Sequence, residues 1–126
     1  MQNLDQIRAA KALQEATHTT RQVVSKLPAM ILSNGLLATA AFASEKKDGG
    51  QPKRAEMKNA MDAAAGHLCN PIHGIAVLSG RTTTEQLIDA LSHDSADSLD
   101  LQRATAEALA FLAYLKRFTS KEGEET

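Results

Sequence analysis

The sequence lacks tryptophan and contains only one tyrosine and three phenylalanines. Stacking of bases on aromatic side chains, which many single-strand binders use, can therefore contribute little. The single cysteine, Cys69, excludes an internal disulfide and suits a reducing cytosol. Long β-branched runs are also missing, whereas alanine and leucine dominate. This composition favours an all-α fold.

The sequence also shows few signs of a membrane or of a secretory pathway. Residues 1–5 lack the basic and apolar regions of a signal peptide. The uncharged run of residues 27–44 has only the minimum length of a membrane span and contains proline, asparagine, glycine, serine and threonine. We therefore expect a cytoplasmic protein with no membrane partner. Its 126 residues predict a single helical domain over residues 1–126, with a polar, frayed tail at 120–126.

The uncharged run is the most hydrophobic part of the chain. At helical spacing it is apolar almost all round, which is typical of a helix buried by neighbours on several sides. Pro28 fits the first turn of such a helix, and Gly35, in its middle, would permit close approach of another helix. The predicted fold is all-α, a compact bundle of about five helices around this buried central helix. The predicted helices span residues 3–25, 27–44, 53–68, 84–92 and 96–119.

Charge is unevenly distributed along the chain. Residues 1–60 carry nine lysines and arginines against five acidic residues, whereas residues 61–126 carry five against ten, so the halves differ as +4 and −5. The loop 45–54, which holds Gly49, Gly50 and Pro52, is the most basic segment. An asymmetry of this kind favours head-to-tail stacking or contact with a polyanion at one end.

One segment invites two chemical interpretations, and the sequence argues against both. The segment from His67 through Cys69 to His73 offers three metal-ligand candidates, but Pro71 interrupts them and no second cluster supplies a fourth ligand. Catalysis by a cysteine–histidine pair lacks any acyl-transfer signature around Cys69. No glycine-rich phosphate loop, paired-carboxylate spacing or nucleophile elbow occurs. We therefore expect no cofactor, no metal and no enzymatic activity.

The last predicted helix, residues 96–119, has the strongest amphipathic pattern. Its apolar residues recur along one broad face, as expected of a helix packed on a core. Arg103 and Glu107 lie one turn apart and are predicted to form an ion pair on its surface. Asp94 or Ser95 is predicted to cap its start. The preceding helix, 84–92, is predicted to be capped by Thr82, Thr83 or Thr84, with Glu85 or Gln86 supporting the cap.

Two segments together resemble a known family. The first reads Lys26-Leu-Pro-Ala-Met-Ile-Leu-Ser-Asn-Gly-Leu-Leu-Ala-Thr-Ala-Ala-Phe42, and the second reads Arg103-Ala-Thr-Ala-Glu-Ala-Leu-Ala-Phe-Leu-Ala-Tyr-Leu-Lys-Arg-Phe118. In order, spacing and chain length they resemble the small subunit of the Cmr complexes, the type III-B CRISPR effectors. Tyr114 stands where that family typically carries tryptophan.

The resemblance implies a helical subunit without catalytic activity. It implies stacking of copies head-to-tail beside the backbone subunits of the Cmr complex, and contact with the guide–target RNA duplex through its sugar–phosphate backbone. The residues expected to bind RNA are Lys46, Lys47, Lys53, Arg54 and Lys58, followed by Arg8, Lys11, Arg21 and Lys26. The alternative is a helical protein–protein interaction module without RNA contact.

Overall fold

A computed structural model describes residues 3–93 and 95–119 of the chain. It confirms the all-α fold. The described residues form six α-helices, joined by loops and short 3₁₀ turns. The helices are α1 (Leu4–Glu15), α2 (Arg21–Asn34), α3 (Leu36–Ala43), α4 (Ala55–Leu68), α5 (Thr84–Ser92) and α6 (Ser98–Phe118). The 3₁₀ turns are Ala16–His18, Pro71–His73 and Ala76–Leu78.

The predicted first helix, 3–25, is wrong because the chain breaks between α1 and α2. Thr20 adopts an extended conformation, and its side chain accepts a hydrogen bond from the Val23 amide at 3.5 Å, which caps α2. The preceding Thr19 is buried and donates its hydroxyl to the carbonyl of Glu56 at 2.8 Å. Two threonines thus end one helix and start the next, within a stretch whose helical periodicity continues across them.

The predicted helix over 27–44 is also wrong, since α2 and α3 meet at Gly35. Gly35 has φ 93° and ψ 161°, a conformation almost restricted to glycine. A Cβ added there would meet no atom within 4 Å, so Gly35 serves the turn rather than a close helix approach. Pro28 lies inside α2 instead of its first turn, and Leu32 is 74 % exposed. The uncharged run is therefore only partly buried.

The helix that packs against all the others is α4. It contacts each of the other five α-helices, and most of its residues are buried. Four of the buried ones are alanines, whose small side chains let neighbouring helices approach closely. The buried alanines of α4 are Ala60, Ala63, Ala64 and Ala65. The largest buried side chain, Phe111 on α6, packs beside this helix and stacks on His67.

The last two helices begin with capping boxes. The Thr83 side chain accepts from the Gln86 amide, and the Gln86 side chain accepts from the Thr83 amide, as the sequence predicted for a start near residue 84. Asp97 and Asp100 form the same arrangement at the start of α6. The predicted caps were Asp94, which lies outside the described residues, and Ser95, which precedes the true cap by two residues.

The described helices include none that is both long and apolar enough to cross a bilayer. The predicted tail, 120–126, lies outside the described residues, and the single domain over 1–126 stays a prediction.

Candidate nucleic-acid interface

The basic loop, residues 45–54, is held in shape by its own backbone. The Lys47 amide donates to the Gln51 carbonyl at 2.7 Å, and the Lys53 amide donates to the Glu45 carbonyl at 2.9 Å. Lys46 and Pro52 form an isolated antiparallel bridge. This hairpin-like turn leaves Lys46, Lys47 and Lys53 exposed. Three ammonium groups therefore project from an ordered loop.

Arg54 ties the base of the basic loop to α3. Its guanidinium donates to the Glu45 carboxylate at 2.7 Å and to the Phe42 carbonyl at 3.1 Å, and it lies 3.6 Å above the Phe42 ring. The hydrogen bond from Arg54 lowers the pKa of Glu45. The planar guanidinium is suited to this combination of stacking and hydrogen bonding. The positive charge of Arg54 is consequently shared with a carboxylate, unlike that of its neighbour Lys53.

A surface cleft of about 570 Å³ adjoins the loop. Lys26, from α2, and Arg54 stand among its lining residues with Glu56. Its remaining surface is apolar and comes from α2, α3 and α4. The apolar lining residues are Val23, Met30, Phe42, Ala55 and Met57. The cleft thus combines two cations with an apolar floor beside the basic loop.

A second basic cleft lies where α2 begins and α6 ends. It is lined by Arg21, Ala113, Lys116 and Arg117 and encloses about 590 Å³. Arg21 donates from its Nε atom to the Lys116 carbonyl at 3.3 Å, which joins the two helices. The predicted RNA-binding residues include Arg21 but not Lys116 or Arg117. Their placement beside Arg21 depends on the packing of α2 on α6.

Two further predicted RNA-binding residues, Lys58 and Lys11, are engaged within the protein. Lys58 is 13 % exposed and donates to both oxygens of Asp62, at 2.9 and 3.0 Å, while Glu85 lies 3.0 Å away. Burial opposes its charge, but these hydrogen bonds outweigh that effect and raise the pKa of Lys58. Lys11 pairs with Glu15 at 3.1 Å.

Arg8 is bound even more firmly. Its Nε and Nη2 atoms donate to the two carboxylate oxygens of Glu107, each at 2.7 Å. The side chains of Arg8 and Glu107 are only 19 % and 11 % exposed. The predicted pair of Glu107 with Arg103 is wrong, because the carboxylate turns toward α1 instead. A bidentate pair of this kind is strong and directional.

His67 and His73 complete a buried polar cluster with Arg8 and Glu107. His67 Nε2 lies 2.8 Å from Glu107 Oε2, and His73 Nδ1 lies 3.9 Å from Glu107 Oε1. The hydrogen bonds from Arg8 and His67 outweigh the effect of burial and lower the pKa of Glu107 to about 2. The sequence placed His67 and His73 in one motif, but it did not indicate that Glu107 and Arg8 would lie beside them.

The two histidines and Glu107 present ligand atoms within 4.8 Å of one another, as in some metal centres. Both carboxylate oxygens, however, already accept hydrogen bonds from Arg8. A divalent cation would have to displace this guanidinium or sit beside its positive charge. The arrangement therefore serves internal charge pairing. Cys69, the third candidate of the sequence motif, turns away and donates to the Gly66 carbonyl at 3.1 Å.

Comparison with known families decides which family this fold represents. Residues 2–122 match the family model described as CRISPR-associated protein (Cas_Cmr5). The chain belongs to this family. The resemblance seen in the two helical segments is thereby confirmed, and the protein is a CRISPR-associated subunit of the type III-B class. No curated protein and no solved structure gave a significant match.

Proposed function

We propose that this family member is a non-catalytic small subunit of a cytoplasmic type III-B effector complex. Copies of the chain stack head-to-tail beside the backbone subunits, and each copy contacts the sugar–phosphate backbone of the guide–target RNA duplex. The observation that carries the proposal is the basic loop, whose three exposed lysines project from a hydrogen-bonded turn.

The exposed cations form the RNA-contacting surface in this proposal. Lys46, Lys47 and Lys53 are exposed and form no ion pair with the residues that the structure describes, so phosphates can reach them. Lys26 extends this surface along the adjoining cleft. Such contacts position a duplex without reading its sequence. The second basic cleft, with Arg21, offers a further phosphate site.

The paired cations are ranked lower than the sequence ranked them. Arg54, Lys58, Lys11 and Arg8 each hold a carboxylate of the same chain. A phosphate would have to replace an interaction that is already made, so the net gain from RNA contact is smaller. Arg54 retains a role at the edge of the cleft, where its guanidinium also stacks on Phe42.

Charge complementarity supports the stacking of copies. Residues 1–60 carry a net charge of +4 and residues 61–126 a net charge of −5, so oppositely charged parts of two copies can attract each other. Contacts between such surfaces weaken with salt, because mobile ions screen exposed charges. Sedimentation velocity of the purified chain should therefore show self-association that decreases as salt rises. Self-association that does not respond to salt would argue against charge-driven stacking.

RNA contact is tested in the assembled complex by removing two charges from the basic loop. We expect Lys47→Gln/Lys53→Gln to weaken target-RNA retention. The slope of the logarithm of the binding constant against the logarithm of salt concentration should become shallower by about 0.9 per lost phosphate contact. The matched control is Arg81→Gln/Arg103→Gln, which removes the same charge from a region outside both basic clefts. Equal retention in both double variants would contradict the assignment of the loop.

A protein–protein interaction module without RNA contact is the second candidate. The apolar floor of the first cleft, including Met30 and Met57, is the observation that favours it. Native mass spectrometry of the complex, purified before and after ribonuclease treatment, distinguishes the two functions. Retention of the chain after the RNA has been removed, together with unchanged RNA binding in the loop variant, would support the second function.

A further inference from the structure

The buried polar cluster has an unusual balance of charge. The side chains of His67 and His73 are only 1 % and 2 % exposed, and their ring centroids lie 4.4 Å apart. Both rings face the carboxylate of Glu107, whose two oxygens are already held by Arg8. One negative charge is therefore matched by one permanent positive charge. The two neighbouring rings can each add another positive charge by taking up a proton.

We propose that this cluster makes the packing of α1 sensitive to pH. Protonation of the His67–His73 pair at mildly acidic pH loosens the attachment of α1 to α4 and α6. With both rings neutral, Arg8 and Glu107 balance each other. A proton on either ring leaves an excess positive charge on a side chain that is almost fully buried, which is unfavourable. Two charged rings at this separation would repel each other as well as Arg8.

Arg8 is the member of the cluster that can leave most easily. It comes from α1, and it has a second partner at the protein surface, since Asp5 lies 3.4 Å from its Nη1 atom. His67 is confined by the stacked ring of Phe111, at 4.6 Å between centroids. Excess positive charge is therefore relieved most directly when Arg8 moves toward solvent with α1.

The other charged and titratable groups around the cluster come from α1 and α6. Apart from the four members of the cluster, they are Asp5 and Lys11 of α1 and Arg103 and Tyr114 of α6. Lys11 is paired with Glu15, and Tyr114 donates its hydroxyl to Asp5. None of these groups brings a second carboxylate to the histidine rings, so Glu107 remains the acceptor that they share.

Burial gives the expected direction of the pH effect. It lowers the pKa of His67 and of His73 below the ordinary value of 6.5. Below pH 6.5 the unfolded chain then binds more protons than the folded chain, so stability falls as the pH falls. The Glu107 carboxylate affects stability at lower pH than the histidines do, since its pKa of about 2 lies below the ordinary 4.5. Its stabilising contribution is lost only between those two values.

The test compares unfolding of the full chain at about pH 7.5 and about pH 5.5. Over this interval each histidine whose pKa is lowered by burial can change the unfolding equilibrium constant by at most about tenfold. We expect urea to unfold the unsubstituted chain more easily at the lower pH. The variant His67→Gln/His73→Gln should show a clearly smaller difference. The control His18→Gln/His93→Gln, which changes two exposed histidines, should respond like the unsubstituted chain.

Hydrogen exchange at both pH values locates the effect. After correction for the pH dependence of intrinsic exchange, the amides of α1 should lose protection at pH values where those of α4 keep it. Uniform loss over both helices would overturn the assignment to α1. A pH response that persists in His67→Gln/His73→Gln would overturn the role of the pair.

If that double variant does not fold, nuclear magnetic resonance of the unsubstituted chain can follow the titration of the two histidine rings instead. Titration of the His67 and His73 rings below pH 6.5 supports the proposal. Titration at or above that value overturns it.

Discussion

The buried polar cluster and the basic loop show two fates of charged residues in one small protein. In the cluster, Arg8 and Glu107 are largely buried and satisfy each other through two hydrogen bonds of 2.7 Å. In the loop, Lys46, Lys47 and Lys53 are exposed, and their backbone rather than their side chains gives the loop its shape. The difference separates charges that hold the fold together from charges that are free to meet a partner.

Burial explains why the two groups should behave differently on substitution. A buried charge has lost its contact with water, so removing its partner leaves a penalty that nothing else compensates. An exposed ammonium group keeps its water, and its removal changes stability little. Substitutions in the cluster should therefore affect folding, whereas substitutions in the loop should affect binding.

The largest expected effect follows Glu107→Ala. The variant leaves the guanidinium of Arg8 with only the exposed carboxylate of Asp5, 3.4 Å away, among the described residues, and it removes the acceptor of His67. Removing one partner of a buried ion pair typically costs about 3 kcal/mol or more, and urea unfolding at neutral pH measures this loss. The control is Asp89→Asn, at a carboxylate that is 72 % exposed and lies 3.5 Å from Arg81. Equal losses in both variants would mean that burial does not distinguish the two sites.

A second, smaller cluster sharpens the comparison. Asp62 accepts hydrogen bonds from the amide and the hydroxyl of Thr84, at 2.9 and 2.7 Å, and also binds Lys58. We expect Asp62→Asn to lower the free energy of unfolding by about 2 kcal/mol, since hydrogen bonds to charged groups are worth about 1.5–3 kcal/mol.

Glu85→Gln is the matched control for Asp62, because Glu85 is more exposed and, within the described part of the chain, forms an ion pair with the same lysine alone. It should cost less than about 1 kcal/mol. A larger loss for Glu85→Gln than for Asp62→Asn would show that Lys58 depends mainly on Glu85.

The break between α2 and α3 provides a reference without any charge. We expect Gly35→Ala to lower stability by about 1 kcal/mol, because alanine is strained at φ 93° although space for its methyl group is available. Thermal unfolding measures the change. An increase in stability would contradict the positive φ of Gly35 and favour a continuous helix through this position.

The smallest effect on stability is expected in the basic loop. Lys47→Gln/Lys53→Gln should change the free energy of unfolding by less than about 0.5 kcal/mol, since surface substitutions usually stay within that range. RNA retention in the complex should nevertheless fall. A large loss of stability would show that the two lysines stabilise the folded protein, and it would remove the contrast with the buried polar cluster.

The sequence predicted some elements well because their signals are local. The capping residues before α5 and the amphipathic face of α6 place both helices nearly where the structure has them. The breaks at Thr20 and Gly35 were missed, since hydrophobic periodicity continues through them. A threonine or glycine inside a periodic run is compatible with both a break and a continuous helix, and only the positions of neighbouring helices choose between them.

The same distinction holds for the charged sites. The basic loop was recognisable because its charges are concentrated in one exposed segment with glycine and proline. The ion-pair partner of Glu107 was not recognisable from the sequence, because Arg8 lies 99 residues away in the chain. Spacing along a helix pointed to Arg103, whereas the packing of α1 on α6 brought Arg8 into bidentate contact.

By itself, the sequence determined the helical class, the family resemblance, the basic loop and the start of α5. These properties depend on composition and on residues close together in the chain. The tertiary structure decided which helix lies at the centre, where the long uncharged run divides, and which charges are buried in pairs. Those outcomes depend on contacts between distant segments, where burial removes water and makes an unpaired charge costly.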